Sequence, residues 1–373
     1  MNVHDIIIIG GGLAGLTAAL DLSQYGYDIL VFEPNTYPHH KVCGEYVSTE
    51  VTPYLRSLGI DLTLVGAVEI TAFQISTVNG SMAKTKLPLG GMGISRYAFD
   101  NLLYEKAKER QVKFVFSKVS GVHYDKDRFE VTVDGESYAA KVVLGAYGKR
   151  SVLDKSLQRN FISKKEPWLA VKGHFYYEGF PENLVALHNF EGGYGGLSKI
   201  ETGAVNFCYL TAYDSFKKYN DIDRFNQNVV SENTHLRDFL SEARPVFENP
   251  LTIAQISFEK KEPVVDHILM CGDTAGLIHP LCGNGMAMAI HSAKLASGFI
   301  RNYLEEKTYG RTQMEKDYVK TWNKTFRSRL WYGRKLQYML LNNKYMDMGV
   351  RVVGSSQGLL RAIIAKTHGR PIE

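Results

Sequence analysis

Four consecutive isoleucines, Ile6 to Ile9, run into glycines at positions 10, 12 and 15, and an Ala/Leu-rich stretch follows to Gln24. An apolar run, a G-x-G-x-x-G turn and a helical stretch in that order describe a strand, a tight turn and a helix, with a second strand predicted over Asp28 to Phe32. Gly10 permits the turn, Gly12 lets the backbone approach a pyrophosphate, and Gly15 lets the helix pack on the strand. The first helical residues, Leu13 and Ala14, offer unpaired N–H groups at the positive end of the helix dipole. Glu33 ends the second strand 18 residues beyond Gly15, where a carboxylate accepts ribose hydroxyls. A glycine turn without a nucleotide is the competing reading, and the turn alone does not separate NAD from FAD.

The chain has 373 residues, more than one hydrophobic core ordinarily serves, so two intertwined domains are expected. The N-terminus has no basic segment before its short apolar run, which reads as neither a signal peptide nor a membrane span and points to the cytoplasm. Cys43, Cys208, Cys271 and Cys282 lack the paired spacing of a zinc site or a disulfide framework and read as reduced thiols.

Helical spacing of Phe99, Leu102, Leu103 and Ala107 behind Ser95 predicts a capped helix over Ser95 to Gln111. Alternating runs between Lys113 and Leu144, broken at DKD and DGE, predict strands that complete the nucleotide domain. Trp168 to Leu210 reads as an antiparallel sheet with glycine breaks at 192–193 and 195–196. A polar helical stretch near Asp221 to Glu242 and a strand around Ile253 to Phe258 follow, and the chain beyond Gly283 is almost entirely helix-compatible to its end.

The segment Cys271 to Ile290, CGDTAGLIHPLCGNGMAMAI, resembles the G-D-x-x-G-x-x-x-P-x-x-G-x-G-x-x-x-A stretch of the geranylgeranyl reductase and aromatic hydroxylase superfamily, which also includes the tryptophan halogenases. The resemblance implies FAD as cofactor, with Gly272 and Asp273 at its ribityl hydroxyls and the Gly283-Asn284-Gly285-Met286 turn at the pyrimidine side of the isoalloxazine. A helix dipole there stabilises the negative charge of reduced flavin by roughly 0.3 to 2 kcal/mol. KVCGEYVS, Lys41 to Ser48, resembles the family's stretch over the flavin and brings in Lys41, Cys43 and Gly44. ISRYAFDNLLYEKA, Ile94 to Ala107, is similar to the helix whose arginine, here Arg96, lies at the cofactor.

The implied fold is α/β: a Rossmann-like FAD-binding domain of the glutathione-reductase or p-hydroxybenzoate-hydroxylase type, an inserted antiparallel sheet as substrate domain, and a C-terminal helical region. The boundaries drawn are 1–160 with 260–305 for the FAD domain, 161–259 for the substrate domain, with 65–95 as a further contributor to it, and 306–373 for the helices. The resemblance covers the nucleotide domain and the helical return and is thin in the sheet.

It implies hydride transfer from reduced flavin to a C=C of a lipophilic substrate. A monooxygenase acting on an aromatic or polyketide substrate and a non-catalytic electron carrier are the alternatives. Cys43, Tyr194 and Cys282 are the candidate catalytic residues, each weighed against simple packing. His174 and His188 read as structural histidines. Tyr147 stands where the family has an aspartate tied to nicotinamide handling, and the family's prenyl-pocket tryptophan and Phe-Pro are missing around Tyr194. No second nucleotide turn is present, so NAD(P)H would be a transient visitor. No nucleic-acid partner is expected.

Charge is unevenly placed. Lys294 to Glu373 holds 16 Lys and Arg against 6 Asp and Glu, a net of +10, and the first 293 residues carry −5. The aromatic, basic run from Phe326 to Leu341 is therefore either a solvated helix face or a peripheral contact with anionic lipid.

Overall fold

The computed structural model describes residues 3–164, 167–340 and 343–373. Ile6, Ile7 and Ile8 are fully buried in strand Val3–Ile9, which lies between Glu136–Gly145 and Ile29–Phe32 in a parallel sheet. Lys113–Val115 extends the sheet on one side and Ile268–Met270 on the other, both parallel. A central parallel strand is covered on both faces, which is why it reads as a continuous apolar run rather than an alternating one. The helix Leu13–Ser23 has buried residues all round for the same reason. It packs between Arg96–Glu109 and Gly285–Glu305, three helices brought together from distant parts of the chain.

Two antiparallel hairpin strands, Val119–Asp125 and Arg128–Val133, continue from Glu136–Gly145. Their tight turns place Lys126, Asp127, Asp134 and Gly135 at positive φ, the backbone that the DKD and DGE signals supply. Ser95 caps the helix Arg96–Glu109 by accepting the Ala98 N–H at 3.0 Å.

The second sheet has nine strands and draws on two stretches of chain, 46–93 and 168–254. It is antiparallel except where Leu184–Phe190 runs parallel to Val68–Ser76. Leu169, Val171, Phe207 and Tyr209 face the helices Ile222–Asn228 and Thr234–Glu242 in one core. The opposite face, with Trp168, Ala170, Tyr194 and Leu210, turns toward the first sheet's loops and the C-terminal helices.

Two expectations need correction. The strand over Ile253 to Phe258 is instead Leu251–Ala254, because Gln255 takes a left-handed conformation (φ 58°) that ends the ladder. The single helix over Asp221 to Glu242 is two, interrupted by extended Asn233. The Asn233 side chain caps the second helix at the His235 N–H and bonds buried Ser76 Oγ and the Asn189 carbonyl. As expected, the chain's C-terminal region is helical, with Arg311–Leu340, Asn343–Gly354 and Gln357–Thr367 followed by a short tail from His368. Leu341 of the basic aromatic run lies outside the described residues.

Among the described residues no helix is long and apolar enough to cross a membrane. The helix Arg311–Leu340 is fastened to the parallel sheet by Tyr318, fully buried, whose hydroxyl donates to the Met270 carbonyl at 2.6 Å. Tyr318→Phe strands that buried carbonyl and is expected to lower stability by about 1 to 3 kcal/mol in urea titrations with an unchanged m-value. A change within error would show that the carbonyl finds another partner.

Candidate active site

The loops leaving the parallel strands at their carboxyl ends converge on one edge of the first sheet, where ligands bind in open α/β folds. Gly10 has φ 105°, and a Cβ there would come within 2.4 Å of the Ala146 carbonyl oxygen. A Cβ on Gly15 would lie 1.9 Å from the Gly10 carbonyl oxygen, so helix and strand approach only because both positions lack a side chain. Gly12 is the N-cap of the first helix and no side chain caps it. Glu33, buried, accepts the Gly11 N–H at 2.9 Å and the Asn35 N–H at 3.2 Å, bracing the turn from the end of the second strand.

Cations gather beside the turn. A Cβ on Gly12 would lie 3.5 Å from the Arg96 guanidinium and 3.9 Å from the Lys41 ammonium. Asp100, one helical turn beyond Arg96, binds that guanidinium with both oxygens at 2.6 and 2.7 Å and stands 3.3 Å from Lys41. Burial would push the Asp100 carboxyl up, but Arg96 and Lys41 outweigh it and hold the carboxyl below its ordinary range.

Cys43 and Gly44 lead into Glu45, the most heavily engaged residue of the region. Glu45 is completely buried with φ 54°. Its carboxylate accepts the Arg96 N–H at 2.7 Å and Lys172 Nζ at 2.5 Å, and pairs with His174 Nε2 at 2.6 Å. Burial opposes its charge, yet His174 and Lys172 together hold its carboxyl below the usual value. Lys172 also donates to the Lys41 carbonyl at 3.1 Å. The loop from Lys41 to Glu45 is thus tied to the second sheet by a buried ion cluster.

The chain returns through Gly272–Thr274 directly after strand Ile268–Met270. Among the described residues the Asp273 carboxylate has no hydrogen-bond partner, while its backbone carbonyl accepts Lys261 Nζ at 2.9 Å. Gly283, at φ 60°, and Asn284 precede the helix Gly285–Glu305, whose N-terminus no side chain caps and which begins with Gly285 and buried Met286. A Cβ at Gly283 would meet the Tyr46 ring at 3.2 Å, so this turn abuts the loop from Lys41.

Of the three catalytic candidates, Cys43 is partly exposed, and its sulfur accepts the Glu45 N–H at 3.4 Å. Tyr194 is buried with its hydroxyl engaged twice: it shares a proton with His279 Nδ1 at 3.0 Å and accepts the Leu281 N–H at 3.0 Å. Cys282 is buried near Gly333 of the long helix, and burial pushes its thiol up to about 12. Tyr147 donates to Asp154 at 3.2 Å behind the parallel sheet's edge. His188 is tied to Ser76 at 2.7 Å in the core.

Sequence reasoning missed Glu45, Lys172 and Asp100. Glu45 stood within the KVCGE stretch and could have been weighed there. Lys172 offered no signal, since a lysine in an alternating strand reads as solvent-facing. A cavity of about 540 Å3, lined by Phe175, Phe207, Tyr209 and Leu240, lies on the far side of the second sheet and shares His174 with the cluster. It is separate from the converging loops.

Two uncapped helix N-termini, two cations beside Gly12 and an unengaged Asp273 carboxylate are the groups that a pyrophosphate, a flavin edge and a polyol chain require, so the residues present fit FAD. Asp273→Ala should purify with less than a tenth of the stoichiometric flavin absorbance, and full retention would remove Asp273 from the site. Acid should also weaken the fold. Burial lowers His188 and His279 to about 3, so between about 6.5 and 3 the unfolded chain binds more protons and stability falls with pH. Glu45 adds to the loss below its ordinary value of 4.5. Denaturant titrations from pH 8 to 4 read this, and a flat profile would contradict it.

A family model described as an FAD binding domain matches residues 3–308. A menaquinone reductase of Mycobacterium tuberculosis is 23% identical over 313 residues, covering 79% of this chain and 75% of the relative. Among solved structures, the flavin-dependent brominase Bmp2 superposes with a TM-score of 0.80 at 16% identity, covering 98% of this chain and 93% of that one. A geranylgeranyl bacteriochlorophyll reductase-like protein of Thermoplasma acidophilum gives 0.79 at 20% identity, with 98% and 96% covered. The turn at Gly10, the cations at Gly12 and the return through Asp273 are thus the candidate cofactor site, and the chain belongs to the FAD-binding-domain family of oxidoreductases and monooxygenases.

Proposed function

We propose that this enzyme reduces a C=C bond of a lipophilic substrate, with electrons delivered by a nicotinamide that binds only transiently. The observation that carries this reading is the apolar character of the second sheet's cofactor-side face. Trp168, Ala170, Leu187 and Leu210 form one cluster with Leu277 from the return segment and Met346, Val350 and Ile364 from the C-terminal helices. These side chains pack on one another, and an apolar wall of this kind beside the converging loops suits a long apolar molecule better than a small charged one. The similarity to a protein named for reducing menaquinone, a lipophilic quinone, supports the same substrate class.

FAD, once reduced by the nicotinamide, would supply the hydride, and the chain supplies position and a proton. Cys43 is the proton donor in this reading, delivering Sγ–H to the carbon next to the one that takes the hydride. Tyr194 and Cys282 support the wall instead, the first because its hydroxyl is engaged on both sides and the second because it is sealed against the long helix.

Substrate reaches the site from an anionic lipid surface. Trp331, Tyr345, Met348, Val352 and Leu359 are exposed on the C-terminal helices, interspersed with exposed Arg334, Lys335, Arg351 and Arg361. A groove of about 490 Å3 lined by Leu87, Leu89, Ile364 and Ala365 runs in from these helices to Tyr46, which packs at the Gly283 turn. Each basic side chain near such a surface contributes roughly 1 kcal/mol.

Anaerobic incubation of the holoenzyme with NADPH or NADH and a polyprenyl substrate should give a product two hydrogens heavier, with Cys43→Ala slower by about 100-fold, the size of a lost general acid. A hydroxylated product that appears only with O2 would favour the monooxygenase. The protein should co-sediment with phosphatidylglycerol vesicles at low salt and not with phosphatidylcholine, and Met348→Asp with Val352→Asp should abolish it. Equal binding to both vesicles would discard the lipid contact.

A further inference from the structure

The cavity of about 540 Å3 lies on the face of the second sheet turned away from the converging loops, and glycines open it. A Cβ on Gly173 would come within 2.7 Å of the Phe175 ring, and one on Gly195 within 2.6 Å of the Phe207 ring. Both rings therefore lie along the sheet, over positions that have no side chain. Space is left between them and the helices Ile222–Asn228 and Thr234–Glu242, whose Ile222, Asn226 and Leu240 form the opposite wall. A volume of this size takes a small organic molecule.

Two residues of this lining carry buried polar atoms with no hydrogen-bond partner: the hydroxyl of Tyr209, a residue 2% exposed, and Asn226 Oδ1. Burial, with smaller contributions from Cys208 and Asp223, raises the Tyr209 hydroxyl above its ordinary range, so it stays protonated and can donate. Asn226 Oδ1 can only accept. The charges at the cavity, Arg237 with Asp223 and Glu248, are of both signs and exposed to solvent. An aromatic floor with one donor, one acceptor and no buried charge suits an uncharged aromatic molecule that carries a hydroxyl.

One wall of the cavity reaches round the edge of the sheet. Strand Trp168–Tyr176 pairs with Leu251–Ala254 as far as Lys172 and with Arg244–Pro245 from Phe175 onward. The segment 246–250 bridges the gap between them, held by the Val246 N–H, which donates to the His174 carbonyl at 2.8 Å. Phe247 in that segment lines the cavity, and its ring centre lies 4.8 Å from that of His174 and 4.7 Å from that of His40. His174 pairs with Glu45, and His40 immediately precedes Lys41. A single side chain thus touches the cavity and both ends of the loop from Lys41 to Glu45.

We infer that this cavity is an effector site for an uncharged aromatic alcohol, and that Phe247 transmits its occupancy to the loop from Lys41 to Glu45. The ligand ring lies against Phe175 and Phe207, and its hydroxyl accepts from Tyr209 and donates to Asn226. The inference does not depend on which reaction the flavin site performs.

The FAD holoenzyme is titrated with 2-naphthol and with naphthalene, followed by calorimetry and by the flavin absorbance. 2-Naphthol should bind more tightly than naphthalene and shift the flavin band. Ser241→Trp, which fills the cavity from an exposed position, should abolish that binding at full flavin content. Tyr209→Phe should weaken 2-naphthol by roughly three- to tenfold, the range of one hydrogen bond, and leave naphthalene unchanged. Its urea midpoint should stay the same or rise, because the hydroxyl has no partner in the protein to lose. Phe247→Leu should keep the binding and lose the flavin shift. No binding of 2-naphthol, binding undiminished in Ser241→Trp, or binding that leaves the flavin band unmoved overturns the effector site. A lowered urea midpoint in Tyr209→Phe with unchanged 2-naphthol affinity would give the hydroxyl to an ordered water and also overturn it.

Discussion

A carboxylate that is fully buried and still charged needs compensation from every side, and Glu45 has it: an ammonium, an imidazole and a backbone N–H within 2.7 Å. These partners come from different places. Arg96 N–H belongs to a helix of the parallel-sheet layer, whereas Lys172 and His174 project from the second sheet. Removing one partner would leave an uncompensated ion in a dry interface, so the two layers and the loop between them hold one relative position. Cys43 and Gly44 lie immediately before Glu45, and the Asn206 amide grips the Cys43 carbonyl from the same sheet. The placement of the loop at the cofactor follows from this cluster more than from the loop's own conformation.

Around that clamp the candidate site is assembled from segments hundreds of residues apart. The glycine turn at Gly10, the cations Lys41 and Arg96, and the turn at Gly283 meet because parallel strands end at one edge and their helices start there. The long helix Arg311–Leu340 then closes the structure, anchored by Tyr318 on the parallel sheet and by Arg329, which reaches buried Glu50 at 2.9 Å. Glu50 also holds the tail through the Gly369 N–H, and Asn284 Nδ2 donates to the Thr367 carbonyl at 2.9 Å. The C-terminal segment is thus tied to the turn at Gly283.

Much of the backbone of the candidate site was legible in the amino-acid sequence because its requirements are local. A positive φ or a close approach needs glycine at Gly10, Gly15 and Gly283, and glycine spacing is visible in a string of letters. The parallel strands were equally plain, since double burial makes them uniformly apolar. The second sheet was harder. Its strands 68–76 and 82–93 fall in the stretch 65–95 expected to contribute to the second domain, but they lie a hundred residues from 168–212, and which strand pairs with which leaves no local trace. Gln255 ends a strand by adopting a left-handed backbone that glutamine rarely signals, and Asn233 splits a helix through buried bonds to Ser76 and the Asn189 carbonyl. Lys172 and Asn206 carry their meaning only through what faces them. Ionic and polar partners of this kind are set by tertiary placement, and no periodicity announces them.

The dependence of the cofactor loop on the Glu45 cluster is tested most directly by a double-mutant cycle of Glu45→Gln and Lys172→Met, read in unfolding free energy and FAD affinity. Each single change should cost about 3 to 5 kcal/mol and weaken FAD, because each strands a buried charge or donor. The double variant should be more stable than the sum of the two single losses allows, by at least about 1 kcal/mol, with FAD binding partly restored. Strictly additive losses, or single variants that keep full stability and full flavin, would show that the loop is positioned without this cluster.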